Sequence, residues 1–284
     1  MRRHEDEFRI RSLCRVLRVT RAGYYAWRGR CASARSVTDA QLLAEIRAIH
    51  QHSRRTYGSP RVWRYLQRQG YRVSEKRVAR LMAQDGLRAK RSKRFRVTTD
   101  SRHTKVVHGN VLARDFAVGP PGRALGGDIT YLWTGEGWLY LAVVLEIGSR
   151  RVMGWSFRTT LEASLVTAAL DMALGVRPLR PGAICHSDRG SQYGSEDVQA
   201  MIERYHLRGS MSRKGNCWDN AVVESFFATL KGELVDDARW MTRVEAKSAV
   251  VVWIEGWYNR ERMHSSLGDI SPLEFESQFV AETM

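Results

Sequence analysis

Residues Asp128–Trp155 read DITYLWTGEGWLYLAVVLEIGSRRVMGW, and this stretch decides the fold class. It contains three β-prone runs, at 128–132, 138–147 and 151–157. The first two runs are separated by a Gly-Glu-Gly turn at 135–137. Three consecutive runs of this kind, joined by short turns, predict an antiparallel meander.

The residues after this meander alternate between helical and strand patterns. Helices are predicted over 161–176, 197–205 and 221–234, and short strands over 183–186 and 207–211. A meander followed by alternating helices and strands is a mixed α/β arrangement. We therefore predict an α/β core in which helices flank a mixed sheet.

An all-α region is predicted before this core. Thr38 is expected to cap a helix that runs to about His50, Ser59 with its following proline to begin a second helix, and Ser74 to cap a third. A short turn at 70–73 joins the last two, which matches a helix-turn-helix whose second helix enters the DNA major groove. The alternative is a small three-helix bundle whose lysines and arginines are only solvated.

Positive charge is concentrated in the same region. The 284-residue chain has a formal net charge of +16, and residues 1–110 alone hold 28 Lys and Arg against 8 Asp and Glu. A basic segment attracts polyanions, of which nucleic acid is the commonest soluble one. The alternative is a basic surface with no dedicated partner. The run Arg88–Arg96, with six basic residues in nine, is expected to hold phosphates or to serve as a flexible linker.

Neither a membrane span nor a secretory signal is predicted. The longest apolar run, Trp138–Ile147, is far shorter than the ~20 residues that a spanning helix needs, and the opening MRRHEDEFRIRS has no apolar core. The four cysteines are scattered and form no CxxC pair, so no zinc finger or disulfide framework is indicated. We expect a cytoplasmic protein with no membrane partner.

Three acidic residues fall where a rigid sheet commonly places catalytic groups. Asp128 lies on the first strand, Asp188 just after the strand at 183–186, and Glu224 in the first turn of a helix. Divalent cations such as Mg²⁺ take oxygen ligands, and a pair of them can stabilise the attacking and leaving oxygens of phosphoryl transfer. Taken singly, any of these acids is more often a surface or capping residue, and Glu224 also suits the helix dipole without any metal.

The sequence around these acids is rich in polar side chains that could support them. His186 precedes Asp188 in the segment HSDRGSQY, and Asn216 and Asn220 precede Glu224 in GNCWDNAVVESFFATLKGE. Lys231 follows Glu224 by seven residues, or two helical turns, and therefore shares its face. It is predicted to hold a DNA phosphate, and the alternative is a surface lysine without a partner.

The spacing of the acids carries a family resemblance. Asp128 and Asp188 are 60 positions apart, and 35 residues separate Asp188 from Glu224. The pattern resembles the acid triad of the retroviral-integrase and transposase superfamily, which has an RNase H-like core. The segments quoted above, together with YGSPRVWRYLQRQG and WYNRERMHSSLGDISPLEF, resemble OrfB-type transposases of bacterial insertion sequences in the IS-three group. The resemblance covers roughly residues 10–276.

This resemblance implies a reaction and a set of partners. Asp128, Asp188 and Glu224 would bind two Mg²⁺ or Mn²⁺ ions, nick DNA at the ends of the element, and direct a 3′-OH to attack DNA. The implied partners are the terminal inverted repeats, target DNA, another copy of the chain and an upstream OrfA product, in the bacterial cytoplasm at the nucleoid. Two alternatives remain: a purely hydrolytic metal-dependent nuclease, and an inactive or domesticated DNA-binding protein, which the departures from the family pattern at Leu125 and Gly127 keep open.

Five segments are expected along the chain. They are an N-terminal helical segment at 1–35, a helix-turn-helix-like DNA-binding domain at 36–90, a basic linker at 91–120, an RNase H-like integrase catalytic core at 121–235, and a C-terminal helix and tail at 236–284. Basic side chains from several of these segments are expected to contact DNA. They are Lys76, Arg77, Arg80, Arg88, Lys90, Arg91, Lys93, Arg94 and Lys231, and, as the family resemblance alone implies, Arg260 and Arg262.

Overall fold

A computed structural model describes residues 4–90, 105–117, 119–213 and 216–281. The helices within these ranges are α1 (Ile10–Val16), α2 (Arg21–Arg28), α3 (Ala34–His52), α4 (Ser59–Arg68), α5 (Glu75–Gln84), α6 (Ala163–Val176), α7 (Glu196–Arg204), α8 (Ala221–Leu230), α9 (Arg243–Val251) and α10 (Pro272–Ala281). The strands are β1 (Ala124–Thr134), β2 (Gly137–Glu146), β3 (Val152–Arg158), β4 (Ile184–Ser187) and β5 (Arg208–Met211). None of the helices in these ranges is both long and apolar enough to cross a membrane.

The five strands form one mixed sheet in the order β3-β2-β1-β4-β5. Strands β1, β2 and β3 pair antiparallel, which confirms the predicted meander. Strand β4 is parallel to β1, and β5 is parallel to β4. The central position of β1 matters for the site, because β1 joins the meander to the parallel half of the sheet.

Helices cover both faces of this sheet, so the predicted α/β core is confirmed. On one face, Ala142 and Val144 pack against α6. A Cβ at Gly154 of β3 would lie only 2.1 Å from the carbonyl oxygen of Ala169, so glycine allows α6 to approach the sheet closely. On the other face, Leu141 and its neighbours on β2 pack against α8 and the C-terminal helices.

The helix-turn-helix region is built from α3, α4 and α5, and Val62, Leu66 and Val78 are fully buried within it. Ser74 caps α5 as predicted, since its side chain accepts a hydrogen bond from the Arg77 amide. The start predicted for α3 is wrong. The helix begins at Ala34, because the Ser33 side chain accepts a hydrogen bond from the Ser36 amide.

Thr38 therefore lies inside α3, where its hydroxyl donates to the Arg35 carbonyl at 2.9 Å. The second predicted cap is also displaced by one residue. Gly58 is the N-cap of α4, and Ser59 is its first helical residue. The error at α3 is local, because more than one Ser or Thr near a helix start can cap its unpaired amides, whereas at α4 no side chain caps the helix.

The C-terminal part of the chain joins the helix-turn-helix region to the sheet. The buried Tyr57 hydroxyl accepts a hydrogen bond from the Met263 amide at 2.7 Å, and Arg68 pairs with Glu274 at 2.6 Å. Trp253 is fully buried among the residues that pack on the sheet. Two π-helical segments, Lys231–Val235 and Val252–Tyr258, continue α8 and α9.

Candidate active site

The register of β1 and β4 brings two of the predicted acids together. Gly127 is paired with Ser187 in this parallel ladder, so Asp128 and Asp188 each come one residue later on neighbouring strands. An Asp128 carboxylate oxygen accepts a hydrogen bond from the Ile129 amide at 2.7 Å, and an Asp188 oxygen accepts one from the Gly190 amide at 2.9 Å. Both acids are half-buried. Their backbones are therefore held by the sheet and by the Gly190 turn.

The third acid reaches the same place from α8. A Cβ at Gly126 would lie 2.8 Å from a Val223 methyl group, which shows how closely α8 lies on β1. Glu224, the residue after Val223, is in the first turn of the helix and is half-buried. The structure thus places the three predicted acids on β1, after β4 and on α8, near one end of the β1–β4 pair.

Electrostatic coupling shows that the three carboxyl groups are neighbours. The pKa of Asp128 is raised well above its usual value, first by burial and then by the negative charges of Asp188 and Glu224. The pKa of Glu224 is raised by burial and by Asp188. Like charges that share a half-buried site repel one another, and a cation bound between them would remove that repulsion.

The donor set therefore fits a hard divalent cation such as Mg²⁺ or Mn²⁺, which takes carboxylate oxygens. As the side chains stand, however, no three His, Cys, Asp or Glu residues in the described part of the chain are gathered tightly enough to hold a metal ion. The three carboxylates of this acid cluster would have to close around a bound ion. Asp128, Asp188 and Glu224 are the residues that would hold it.

Lys231 adds one positive charge beside the acid cluster. Its ammonium nitrogen lies 5.5 Å from the centroid of the Tyr131 ring, and Tyr131 is three residues beyond Asp128 on β1. Burial lowers the pKa of Lys231, and the Asp128 charge opposes that change. The lysine predicted to hold a phosphate is thus within electrostatic reach of the acids.

The three polar residues expected to support the acids have different positions. Asn220 is buried, and its amide nitrogen donates to the Gly127 carbonyl at 3.3 Å, next to Asp128. His186 is buried between β4 and β5, with its Nδ1 2.9 Å from the Ser210 hydroxyl, and burial lowers its pKa to about 4. Asn216 is farther out, where its carbonyl oxygen accepts a hydrogen bond from Arg114 at 2.9 Å.

Two supporting residues were not predicted as site residues. Tyr193 is buried beside the acid pair, and its pKa is raised by burial and by the charges of Asp128 and Asp188. A Cβ at Gly127 would lie 3.1 Å from the Tyr193 hydroxyl, so the glycine leaves room for this ring. Asp219 is fully buried in the turn before α8, where it pairs with Arg213 at 2.9 Å. Tyr193 belongs to the segment HSDRGSQY and Asp219 to GNCWDN, but no periodic pattern in the sequence distinguishes either residue.

The residues predicted to contact DNA are distributed over several surfaces. Lys76 and Arg88 are exposed in the helix-turn-helix region, and Arg260 is exposed near the C-terminus. Arg77 and Arg80 both pair with Asp39, at 2.6 and 2.7 Å, so their charge is partly neutralised. Arg91, Lys93 and Arg94 lie outside the described residues.

Two of these basic residues are engaged within the protein. Lys90 pairs with Asp237 at 2.9 Å. Arg262 is buried and pairs with Glu233 at 2.9 Å, so its guanidinium is already held within the protein, and its expected contact with DNA stays a prediction. Charge is visible in a sequence, but the carboxylate that takes Arg262 out of solvent is 29 residues away.

Comparison with protein families divides the chain into two parts. A family model described as an HTH-like domain matches residues 38–95. Two models described as an integrase core domain match residues 120–217 and 205–272.

Relatives of known name match nearly the full length. Over 284 residues, the chain is 43% identical to the transposase InsF for insertion sequence IS3A of Escherichia coli (strain K12), covering 98% of each protein. It is 41% identical over 267 residues to the insertion element IS600 uncharacterized 31 kDa protein of Shigella sonnei, covering 94% of this chain and 98% of that protein.

Solved integrase structures show a more distant likeness. The HTLV-2 integrase catalytic core domain in complex with magnesium (trimeric form) aligns with a TM-score of 0.44 at 15% identity, covering 56% of this chain and 99% of the integrase chain. The catalytic core domain of BIV integrase (crystal form I) aligns with a TM-score of 0.43 at 17% identity, covering 57% and 98%.

Proposed function

This chain belongs to the insertion-sequence transposase family that includes the InsF proteins of IS3, and we propose that it cleaves and joins DNA strands at the ends of its own element in a metal-dependent reaction. The observation that carries the proposal is the convergence of Asp128, Asp188 and Glu224 from three separate elements. Carboxylates brought together in this way repel one another unless a cation joins them.

Two Mg²⁺ or Mn²⁺ ions held by these carboxylates would activate the attacking oxygen and stabilise the leaving oxygen at a DNA phosphate. The chain's own residues fix the geometry. The sheet holds Asp128 and Asp188 side by side, and Asn220 holds the backbone of β1 at Gly127. Lys231 interacts electrostatically with Asp128, and it would orient a phosphate oxygen.

Recognition of DNA is assigned to the basic N-terminal region. The helix-turn-helix region would bind the terminal inverted repeats, with Lys76 and Arg88 among the exposed contacts. Arg260 would contact the same DNA near the C-terminus. Target DNA, a second copy of the chain and an upstream OrfA product complete the proposed set of partners. The proposed place of action is the bacterial cytoplasm, at the nucleoid.

The test is a strand-cleavage and joining assay on labelled DNA that carries the flanking inverted repeats. It is run with Mg²⁺, with and without the product of the upstream frame. Asp188→Asn is expected to lose both reactions by a factor of at least about 10³, because it removes a carboxylate that would hold the ion stabilising charge at the reacting phosphate. Asp171→Asn is the matched control, because Asp171 is an exposed aspartate on α6.

Each alternative outcome has a distinct meaning. Joining that persists in Asp188→Asn would show that the acid cluster is not the active site. Nicking without joining would identify a hydrolytic nuclease instead of a transposase. DNA binding with neither reaction, in the presence of both Mg²⁺ and the upstream product, would identify a DNA-binding protein that has lost catalysis.

A further inference from the structure

A basic cavity of about 400 Å³ lies against α8. Its wall on the helix includes Ser225 and Thr229, which are one turn apart, and Ser225 is the residue after Glu224. A second cavity of about 210 Å³ shares Arg61, Arg262 and both hydroxyl residues with the first, so the two form one groove. We call this groove the arginine pocket, and the residues that define it are Arg61, Arg150, Arg262, His264, Ser225 and Thr229.

Three arginines converge on this pocket from separate parts of the fold. Arg61 is on α4 of the helix-turn-helix region, Arg150 is in the turn between β2 and β3, and Arg262 is in the C-terminal segment. Arg262 has the carboxylate of Glu233 as its partner, at 2.9 Å. The pocket therefore lies where the helix-turn-helix region, the sheet and the C-terminal segment meet.

The other two guanidinium groups lack an acidic partner in the described part of the chain. Arg150 donates to the backbone carbonyls of Ile147 and Phe116, the second at 2.9 Å. Arg61 lies over the Tyr57 ring, 5.4 Å from its centroid. Both arginines are half-buried. Positive charges removed from water in this way are normally compensated by an anion.

The surroundings of His264 also favour a bound anion. Its Nε2 is buried and has no hydrogen-bond partner among the described residues. The pKa of His264 is lowered to about 2, first by burial and then by the charges of Arg262, Arg61 and Arg150. The charge of Arg262 also adds to burial in lowering the pKa of Arg61, and the charges of Glu233 and Asp269 offset that change only in part. An anion in the pocket would offset this repulsion and could accept hydrogen bonds from several donors.

We infer that the arginine pocket binds a phosphate group of the DNA backbone, on the strand whose reacting phosphate lies at the acid cluster. The inference rests on the proposed function, because it takes DNA as the occupant. Phosphate oxygens accept hydrogen bonds from arginine guanidinium groups and from hydroxyl groups. The pocket adjoins the helix that carries Glu224, so a DNA strand would cross about one helix width, roughly 10 Å, between the two sites.

The test compares Arg61→Gln with Arg204→Gln. Both arginines lie over a tyrosine ring, at 5.4 and 5.6 Å from the ring centroid, but Arg204 is exposed on α7 and does not line the pocket. Equilibrium binding to a labelled duplex that carries the element's end is measured without divalent metal at several salt concentrations. Arg61→Gln is expected to make the negative slope of log affinity against log salt shallower by about 0.9 and to weaken binding about fivefold at 0.15 M salt. Arg204→Gln is expected to change neither.

A second arm separates DNA phosphate from a free anion. Thermal unfolding is measured with inorganic phosphate against chloride at equal ionic strength, in the absence of DNA. Stabilisation by phosphate that Arg61→Gln abolishes, together with the change in slope, supports the inference. Stabilisation by phosphate with an unchanged DNA slope would mean that the pocket holds a free anion only, and that result overturns the inference. An unchanged slope with no effect of phosphate overturns it as well.

These outcomes can be told apart from a failure of the proposed function. Binding is measured without metal, so it does not require catalysis, and Asp188→Asn is expected to keep the wild-type salt slope. If the wild-type chain cleaves no DNA but Arg61→Gln still makes the salt slope shallower, the proposed reaction fails and the pocket assignment stands. If the wild-type chain cleaves and joins DNA but Arg61→Gln leaves the salt slope unchanged, the proposed reaction stands and the pocket assignment fails.

Discussion

The contact between β1 and α8 sets the distance between Asp128 and Glu224, and Gly126→Ala should disturb it. The new Cβ would lie 2.8 Å from the Val223 Cγ2 methyl group. Carbon atoms normally pack at about 3.5–4.0 Å, so α8 and β1 must separate by about 1 Å. Overpacking of this kind costs about 1–3 kcal/mol of unfolding free energy. A misplacement of about 1 Å at a reacting centre lowers the rate about 10²-fold.

The assay is single-turnover nicking of an end-labelled duplex, with DNA affinity and unfolding free energy measured on the same preparations. Gly126→Ala should nick about 10²-fold more slowly than wild type while binding DNA with unchanged affinity. Adding Val223→Ala removes the clashing methyl group and should restore most of the rate. Gly175→Ala is the control, because a Cβ at this glycine of α6 meets nothing within 4 Å. A wild-type rate in Gly126→Ala, or no recovery in the double variant, would refute the assignment of α8 as the element that positions Glu224.

Three further outcomes are expected. Mg²⁺ or Mn²⁺ should raise the melting temperature of the wild-type chain and leave that of Asp188→Asn nearly unchanged, in scanning calorimetry with a metal titration. The pKa of Asp219 is lowered mainly by its hydrogen bond with Arg213, so its contribution is fully present above the unfolded-state value of about 3.9 and is lost progressively as the pH falls from there through the lower folded-state pKa. In urea unfolding, Asp219→Asn should therefore cost about 1–2 kcal/mol at pH 7, in a range limited by the exposure of the arginine, and progressively less as the pH falls below about 4. Trp253→Ala should cost about 3–5 kcal/mol of unfolding free energy, whereas Trp218→Ala, at a tryptophan that is 69% exposed, should cost less than about 0.5 kcal/mol.

Local patterns were sufficient to predict the meander and most helices. Strands β1, β2 and β3 are consecutive and joined by short turns, so their pairing follows from neighbouring residues. The cap of α5 at Ser74 follows for the same reason. At the start of α3 the prediction placed the cap at Thr38 and missed Ser33, because a favourable capping residue in the sequence does not show where the helix begins.

Long-range packing explains what the sequence did not reveal. Asp128 and Asp188 could be recognised because each lies at or beyond a strand, but their side-by-side position depends on β4 pairing with β1 across some 60 residues. The burial of Arg262 could not be predicted, because it depends on where Glu233 lies after folding. Arg150 belongs to a turn, and no motif or periodic pattern in the sequence identifies it as a site residue. It becomes significant only when folding places Arg61 beside the same cavity.

The two sites on α8 show why both kinds of information are needed. Glu224 is identified by its spacing from another acid, whereas Ser225 one residue later gains its proposed role only from the arginines that surround it. Successive residues on a helix point about 100° apart, so one helix can present an acid to the reacting phosphate and a hydroxyl to a phosphate farther along the strand. This arrangement couples strand position to catalysis, because any movement of α8 relative to β1 moves both contacts together. The Gly126→Ala variant should therefore alter the rate more than the affinity, since the arginines that hold the distant phosphate are on other elements.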